Sequence, residues 1–230
     1  MFKAPLMFLR DSILVQGSEI SLSIGRKDSI SAILHAIDKF DGRLAIISQK
    51  KGQNPNPSKD EVYSLGTLCQ VLKHVSFSDG SMKIMLRGLS SFKVGTIFAA
   101  NNICMVEGNV FSWPTSRHTL DKNKKEELLS LLVRYNPNYI KDEVLNLSEV
   151  DLLDIFVLYT SQIISHPYTG VQRQEESDRL LHDLDYWKQL DENKLEDMNR
   201  RIAARIPLLS EISSSEKLEL IKEILIQETI

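Results

Sequence analysis

Five histidines (His35, His74, His118, His166 and His182) and two cysteines (Cys69 and Cys104) have the side chains suited to metal ligation or nucleophilic attack. A structural metal site needs about four ligands converging from close spacings. These residues are scattered, so no metal is expected. Cys69 and His74 come nearest to a thiol–imidazole dyad, but five residues along one strand put the two side chains on opposite faces. That dyad is rejected. No G-x-x-x-x-G-K-[ST] loop offers backbone amides to a phosphate, and no serine sits in a G-x-S-x-G turn. No catalytic residue and no cofactor are expected. The acidic run Glu175, Glu176, Asp178, Asp183 and Asp185 lacks the glycine and alternating ligands of a calcium loop, and reads as the solvated face of a helix. The KNKK run at 122–125 has no interleaved aromatics and reads as a helix start.

With so little chemistry present, the apolar pattern carries the reading. Residues 60–89 form the clearest element, two strand-like runs around Asp79-Gly80. That dipeptide predicts a two-residue type I′ turn with positive φ at both positions. Folding there sets Phe77 opposite Met82, Val75 opposite Ile84 and Val71 opposite Gly88 on an apolar face. The other face pairs Ser76 with Lys83, His74 with Met85 and Leu72 with Arg87. Phe77 and Met82 then flank the tip beyond the reach of a core. Methionine adapts its shape to varied apolar partners, so the pair is a candidate binding site, or alternatively a contact with neighbouring helices. Met1, Phe2, Met7 and Phe8 raise the same two alternatives near the N-terminus.

Short strands are expected at Leu6–Leu9, Ile13–Val15 and Ile20–Ile24, followed by a helix whose stripe is Ile30, Ile33, Leu34, Ile37 and Phe40. Gly42 ends that helix, and Leu44–Ser48 reads as a buried strand. The polar segment 50–59 is a loop by its glycine and prolines. Phe92–Ala100 and Ile103–Phe111 read as two further strands joined by Asn101-Asn102. Composition changes at Pro114. Helical spacing then takes over in Lys122–Tyr135, in an almost wholly apolar helix from Leu152 to Ile163, in the Leu180–Leu190 stripe, in Leu195–Ile206 ended by Pro207, and in Glu216–Gln227.

The order D-x-x-Y-x-x-G-T-x-x-x-V, then D-G-x-x-K-I-x-L-x-G-L, resembles the N-terminal domain of Lon proteases and its stand-alone relatives. Here it is carried by Asp60, Tyr63, Gly66, Thr67 and Val71, then Asp79, Gly80, Lys83, Ile84, Leu86, Gly88 and Leu89. Leu9-Arg10-Asp11, Gly17, Leu22, Arg26, Ser29 and Ala32 resemble the start of the same domain. Ile202 to Leu208 and Glu216-Lys217-Leu218-Glu219 resemble its end. Gln16, Ser21, Arg87 and Ser91 depart from the family pattern, and the helices between 140 and 195 resemble it least. The resemblance implies a PUA-like twisted β-domain with one helix at 1–114; with the all-α bundle that helical spacing gives at 115–230, an α+β protein is expected. The resemblance further implies non-catalytic capture of unfolded or exposed apolar protein segments; Phe77, Met82, Met7 and Phe8, singled out above by position, are the substrate-binding candidates. The ATPase and peptidase modules of Lon proteases are expected to lie outside this chain, which stops where the former would start, so an ATPase or protease partner, or self-association, is possible.

Composition is that of an ordinary soluble globular protein. The chain has 230 residues, 42% of them hydrophobic and 26% charged, with net charge −3. That balance is no electrostatic footprint for nucleic acid. No signal-peptide core forms before Arg10, and the Ile155–Tyr159 run is too short to span a bilayer, so a cytoplasmic protein with reduced thiols is expected. Two alternatives stay open: an RNA-binding PUA-like module, which would show a basic, aromatic-lined cleft, and an enzyme of unknown type, which would show a deep polar pocket.

Overall fold

The computed structural model describes residues 1–10, 12–50, 54, 57–111, 123, 126–127, 130, 192–210 and 214–228. Its centre is a six-stranded sheet in the order β2-β5-β4-β3-β1-β6, built from β1 (Phe2–Leu9), β2 (Glu19–Ile24), β3 (Arg43–Gln49), β4 (Val62–Ser76), β5 (Met82–Ala100) and β6 (Ile103–Phe111). A further pairing between β5 and β6 closes β1, β3, β4, β5 and β6 into a ring. Closure is possible because β5 is one strand of 19 residues. Its first half pairs with β2 and β4, and its second half with β4 and β6. The separate strand expected at Phe92–Ala100 is thus the second half of the hairpin arm. β1 and β3 run parallel, and the other neighbours antiparallel.

Alternation along the strands divides the core in two. Ala4, Leu6, Ala45, Ile47, Leu68, Phe92 and Val106 share one side of the ring. Met7, Leu9, Leu44, Ile46, Cys69, Met82, Ile84 and Leu86 share the other, together with Ala32, Ile33 and Ala36 of helix α1 (Lys27–Lys39). β3 is buried on both faces, which explains its unbroken apolar run. Gly66 shows how tight the ring is. A Cβ there would lie 2.5 Å from the Ile46 carbonyl oxygen and 2.7 Å from the Phe92 ring. Helix α1 ends where expected. Asp41 and Gly42 take positive φ, and the Gly42 amide donates to the Ala36 carbonyl at 2.9 Å. Ile13, Leu14 and Val15 are buried but form no strand. Side chains satisfy this backbone instead: Ser48 Oγ donates to the Ser12 carbonyl at 2.7 Å and Thr67 Oγ1 donates to the Leu14 carbonyl. Asn101 and Asn102 both take positive φ, making the expected two-residue turn between β5 and β6.

At the tip of the β4–β5 hairpin the structure corrects the sequence reading. Gly80 has φ +84°, but Asp79 does not enter the left-handed region. The Gly80 amide donates to the Phe77 carbonyl at 3.1 Å and the Phe77 amide to the Ser81 carbonyl at 2.9 Å. Ser78, Asp79 and Gly80 therefore form a three-residue loop, a type I turn followed by a left-handed glycine. Asp79 stiffens it by accepting from the Ser81 amide at 2.8 Å and the Ser81 hydroxyl at 2.7 Å. The pairing slips by one residue, giving Ser76↔Met82, Val75↔Lys83, His74↔Ile84 and Lys73↔Met85. A slip of one residue exchanges the faces of every side chain on one arm. Further down, an irregularity between Val71 and Lys73 shifts the register again, so that Gln70 faces Arg87 and Cys69 faces Gly88, and a second between Leu68 and Cys69 sets Leu68 opposite Ser90.

The helices α2 (Glu192–Arg205) and α3 (Ser214–Glu228) flank a 3₁₀ turn at Ile206–Leu209. Pro207 sits inside that turn, so the helix stops at Arg205 as its sequence signal requires. Leu208 and Leu209 are buried, and the turn packs against α2 and β4. Asn123, Glu126, Glu127 and Ser130 are helical, within the stretch expected to be a helix. Lys222 of α3 reaches Glu127 at 2.7 Å. The expected helix at Leu152–Ile163, the Leu180–Leu190 stripe, the acidic run at 175–185 and the composition break at Trp113-Pro114 lie outside the described residues.

Candidate functional site on the protruding hairpin

The slipped register decides which side chains the hairpin offers. Met82 faces Ser76 and Ile24, on the same side as Ile84 and Leu86, and is only 1% exposed. It belongs to the core and does not flank an open tip with Phe77. Met7 is likewise buried, at 2% exposure. Phe8, its neighbour on β1, points to the other side, half-buried against the second apolar cluster. Phe77 remains exposed at 47%, and Val75, two residues back on the same face, is exposed at 57%. Val75 was missed because the two-residue turn sets it opposite Ile84. The three-residue loop Ser78-Asp79-Gly80 sets it opposite Lys83 and turns it outward.

On this outer face the register places Lys73 and Val75 of β4, and Phe77 just after it, beside Lys83, Met85 and Arg87 of β5, with Glu19, Ser21 and Ser23 of β2 beyond. Met85 is half-buried. Arg87 is held by Glu19, with Nε to Oε1 at 2.8 Å. The result is a small apolar patch at the outer arm with a basic rim. From Lys73 to Gly80 every residue of the arm is exposed. The β4 arm is open to solvent here, while β5 beside it is anchored in the core by Met82, Ile84 and Leu86.

Other parts of the molecule offer less chemistry. A cleft of about 110 Å³ lies between β1 and the start of α1, lined by Leu6, Met7, Phe8, Arg26, Asp28 and Cys104 among others. Burial, and secondarily the Asp28 charge, pushes the Cys104 thiol up, away from the thiolate a nucleophile needs. Cys69 is fully buried, and burial raises its thiol well above the ordinary value. His74, by contrast, is exposed. Among the described residues no three His, Cys, Asp or Glu side chains gather as metal ligands. No described helix is long and apolar enough to cross a membrane.

The β-ring with its single helix and terminal helices defines the class: a β-rich domain of the Lon N-terminal type. Its fold matches the N-terminal domain of the Mycobacterium avium complex Lon protease at a TM-score of 0.52, over 88% of this chain and 98% of that one, with 18% identity. The particular family follows from the sequence match. The model for the ATP-dependent protease La (LON) substrate-binding domain covers residues 3–229, and the chain belongs to that family. Among curated relatives, the Lon protease of Buchnera aphidicola is 28% identical over 139 residues, and that of Endomicrobium trichonymphae 36% identical over 87. These matches take in 60% and 37% of this chain, but only 17% and 11% of the respective proteases. The chain thus corresponds to a small N-terminal part of those relatives.

Proposed function

We propose that this chain recognises unfolded or exposed apolar segments of protein clients for a Lon-type protease, and carries out no chemistry itself. Membership of the substrate-binding family supports the role. The exposed pair Val75 and Phe77 on the β4 arm supports putting the site there. Phe77 is retained from the sequence reading and Val75 joins it, while Met82 and Met7 serve as the core beneath. The clients are proteins encountered in the cytoplasm, and the ATPase and peptidase activities belong to modules outside the residues matched here.

The test is a Val75→Ser, Phe77→Ser double variant titrated with reduced, carboxymethylated α-lactalbumin, which stays unfolded. Burying each side chain against a client is worth roughly 1.5–3 kcal/mol, so affinity should fall at least ~10-fold even after ordering costs. Thermal stability should barely change, because both side chains are already in water. Unchanged affinity would remove the arm from the site.

A further inference from the structure

The same arm carries a second feature that the apolar patch does not use. β3 pairs with β4 only as far as Gln70, and the last backbone bond on that side is from the Val71 amide to the Gly42 carbonyl, at 2.9 Å. Beyond it, the outer edge of β4 has no strand beside it among the described residues. The Phe77 amide bonds inward to Ser81, which fixes the alternation of the antiparallel ladder. Val75 and Lys73 therefore also bond toward β5, and the amides and carbonyls of His74 and Ser76 point to the open edge. These groups repeat every second residue, about 6.6–6.8 Å apart. Only an extended backbone matches that spacing of donors and acceptors.

We propose that clients bind here as an added β-strand, hydrogen-bonded to the His74 and Ser76 backbone, with apolar side chains laid over Val75 and Phe77. The proposal rests on the client-recognition reading above and gives it a geometry. Main-chain bonding explains how one site accepts many sequences, since every peptide carries the same amides, while alternate side chains tune the fit. The charge pattern selects the occupant. Lys73 shares the face with Val75 and Phe77, and Lys83 stands directly opposite Val75. A second copy of this chain would bring its own Lys73 to the same edge, and like charges across a ladder repel; edge lysines commonly serve to prevent such self-pairing. A client strand bearing Asp or Glu beside its apolar residues meets the rim with opposite charge.

The probe is a labelled peptide of about ten residues, long enough for a typical strand. It alternates valine and threonine between glutamates, and is N-methylated along one edge so that it cannot self-assemble. A second peptide, N-methylated along both edges, keeps the side chains but has no donors. The first should bind and slow hydrogen exchange at the His74 and Ser76 amides, and the second should bind at least ~10-fold more weakly. His74→Pro removes one outward donor without touching the ladder to β5, and should weaken the first peptide to a similar extent. If that variant does not fold, the comparison of peptides on the unaltered protein decides the matter. Equal binding of the two peptides, with binding still lost in the Val75→Ser, Phe77→Ser variant, would overturn strand addition and leave the patch standing. Binding insensitive to all of these changes would overturn both. Protection of His74 and Ser76 without peptide, rising with protein concentration, would show that the occupant is a second copy and would refute the client strand.

Discussion

At the scale of single residues, burial separates side chains that look alike in the sequence. Met82 and Phe77 are both apolar and lie near one turn, but one is 1% exposed and the other 47%. Met82→Ser should cost about 2–5 kcal/mol, the range for removing a large buried side chain, with a further penalty for the hydroxyl. Denaturant unfolding will measure it, and the difference from Phe77→Ser is the check on the register. Cys69 supplies a pH-dependent counterpart. Its thiol is held protonated by burial, so its folded pKa lies above the ordinary 9.0 of the unfolded chain. The unfolded state then releases a proton that the folded state keeps. Stability should fall as pH rises above about 9.0, and be unaffected by this group below it. In Cys69→Ala that alkaline slope should be shallower, which unfolding curves taken across the pH range will reveal. A thiol reagent should also modify half-buried Cys104 well before Cys69.

At the scale of elements, the long β5 strand and the glycines that let it close the ring matter most. Gly66 lies where β3, β4 and the Phe92 ring converge, and Gly88 lies where β5 meets the backbone of Val15. A Cβ at Gly88 would stand 2.2 Å from the Val15 carbonyl oxygen, and the Gly88 amide and carbonyl already bond to Ser18 and Gly17. The neighbours at both positions include main-chain atoms, which cannot swing aside. Gly66→Ala should therefore destabilise the protein by about 1–3 kcal/mol, the usual cost of overpacking. Gly80→Ala meets no atom and disturbs only the left-handed turn, at about 1–2 kcal/mol. Thermal melts of the two variants will separate crowding in the ring from strain in the turn. A Gly66→Ala protein as stable as the parent would show that the ring can expand there.

At the scale of the whole molecule, the hydrogen-bonded ring begins and ends within residues 2–111. We propose that residues 1–114 form a folding unit and that 115–230 are a helical unit resting on it. The contact of Ile206–Leu209 with β4, where Leu208 and Leu209 are buried, is a place where the second unit covers the first. A fragment of residues 1–114 should keep its β-sheet circular dichroism and unfold cooperatively, at a lower denaturant midpoint because that cover is gone. A fragment without cooperative unfolding would make the two parts one unit.

How much of this was legible in the sequence depended on how local each cause is. Helix α1, its end at Gly42, the Asn101-Asn102 turn and the stop at Pro207 were readable because each is governed by φ preferences and periodicity within a few residues. The resemblance also carried the family, since its motifs fall in order on β1, β2, α1, β4, β5 and the terminal helices. Three features were not local and could not be read. The closure of the sheet depends on β5 pairing along its whole length with partners far apart in the chain. Ile13–Val15 looked like a strand, but the distant Ser48 and Thr67 side chains take the Ser12 and Leu14 carbonyls instead. The turn at Asp79-Gly80 had two sterically sound solutions differing by one residue, and local propensity favours the shorter. Only burial of Met82, Ile84 and Leu86 against α1 and β2 selected the longer loop. That choice turned Val75 and Phe77 outward and left the edge of His74 and Ser76 open.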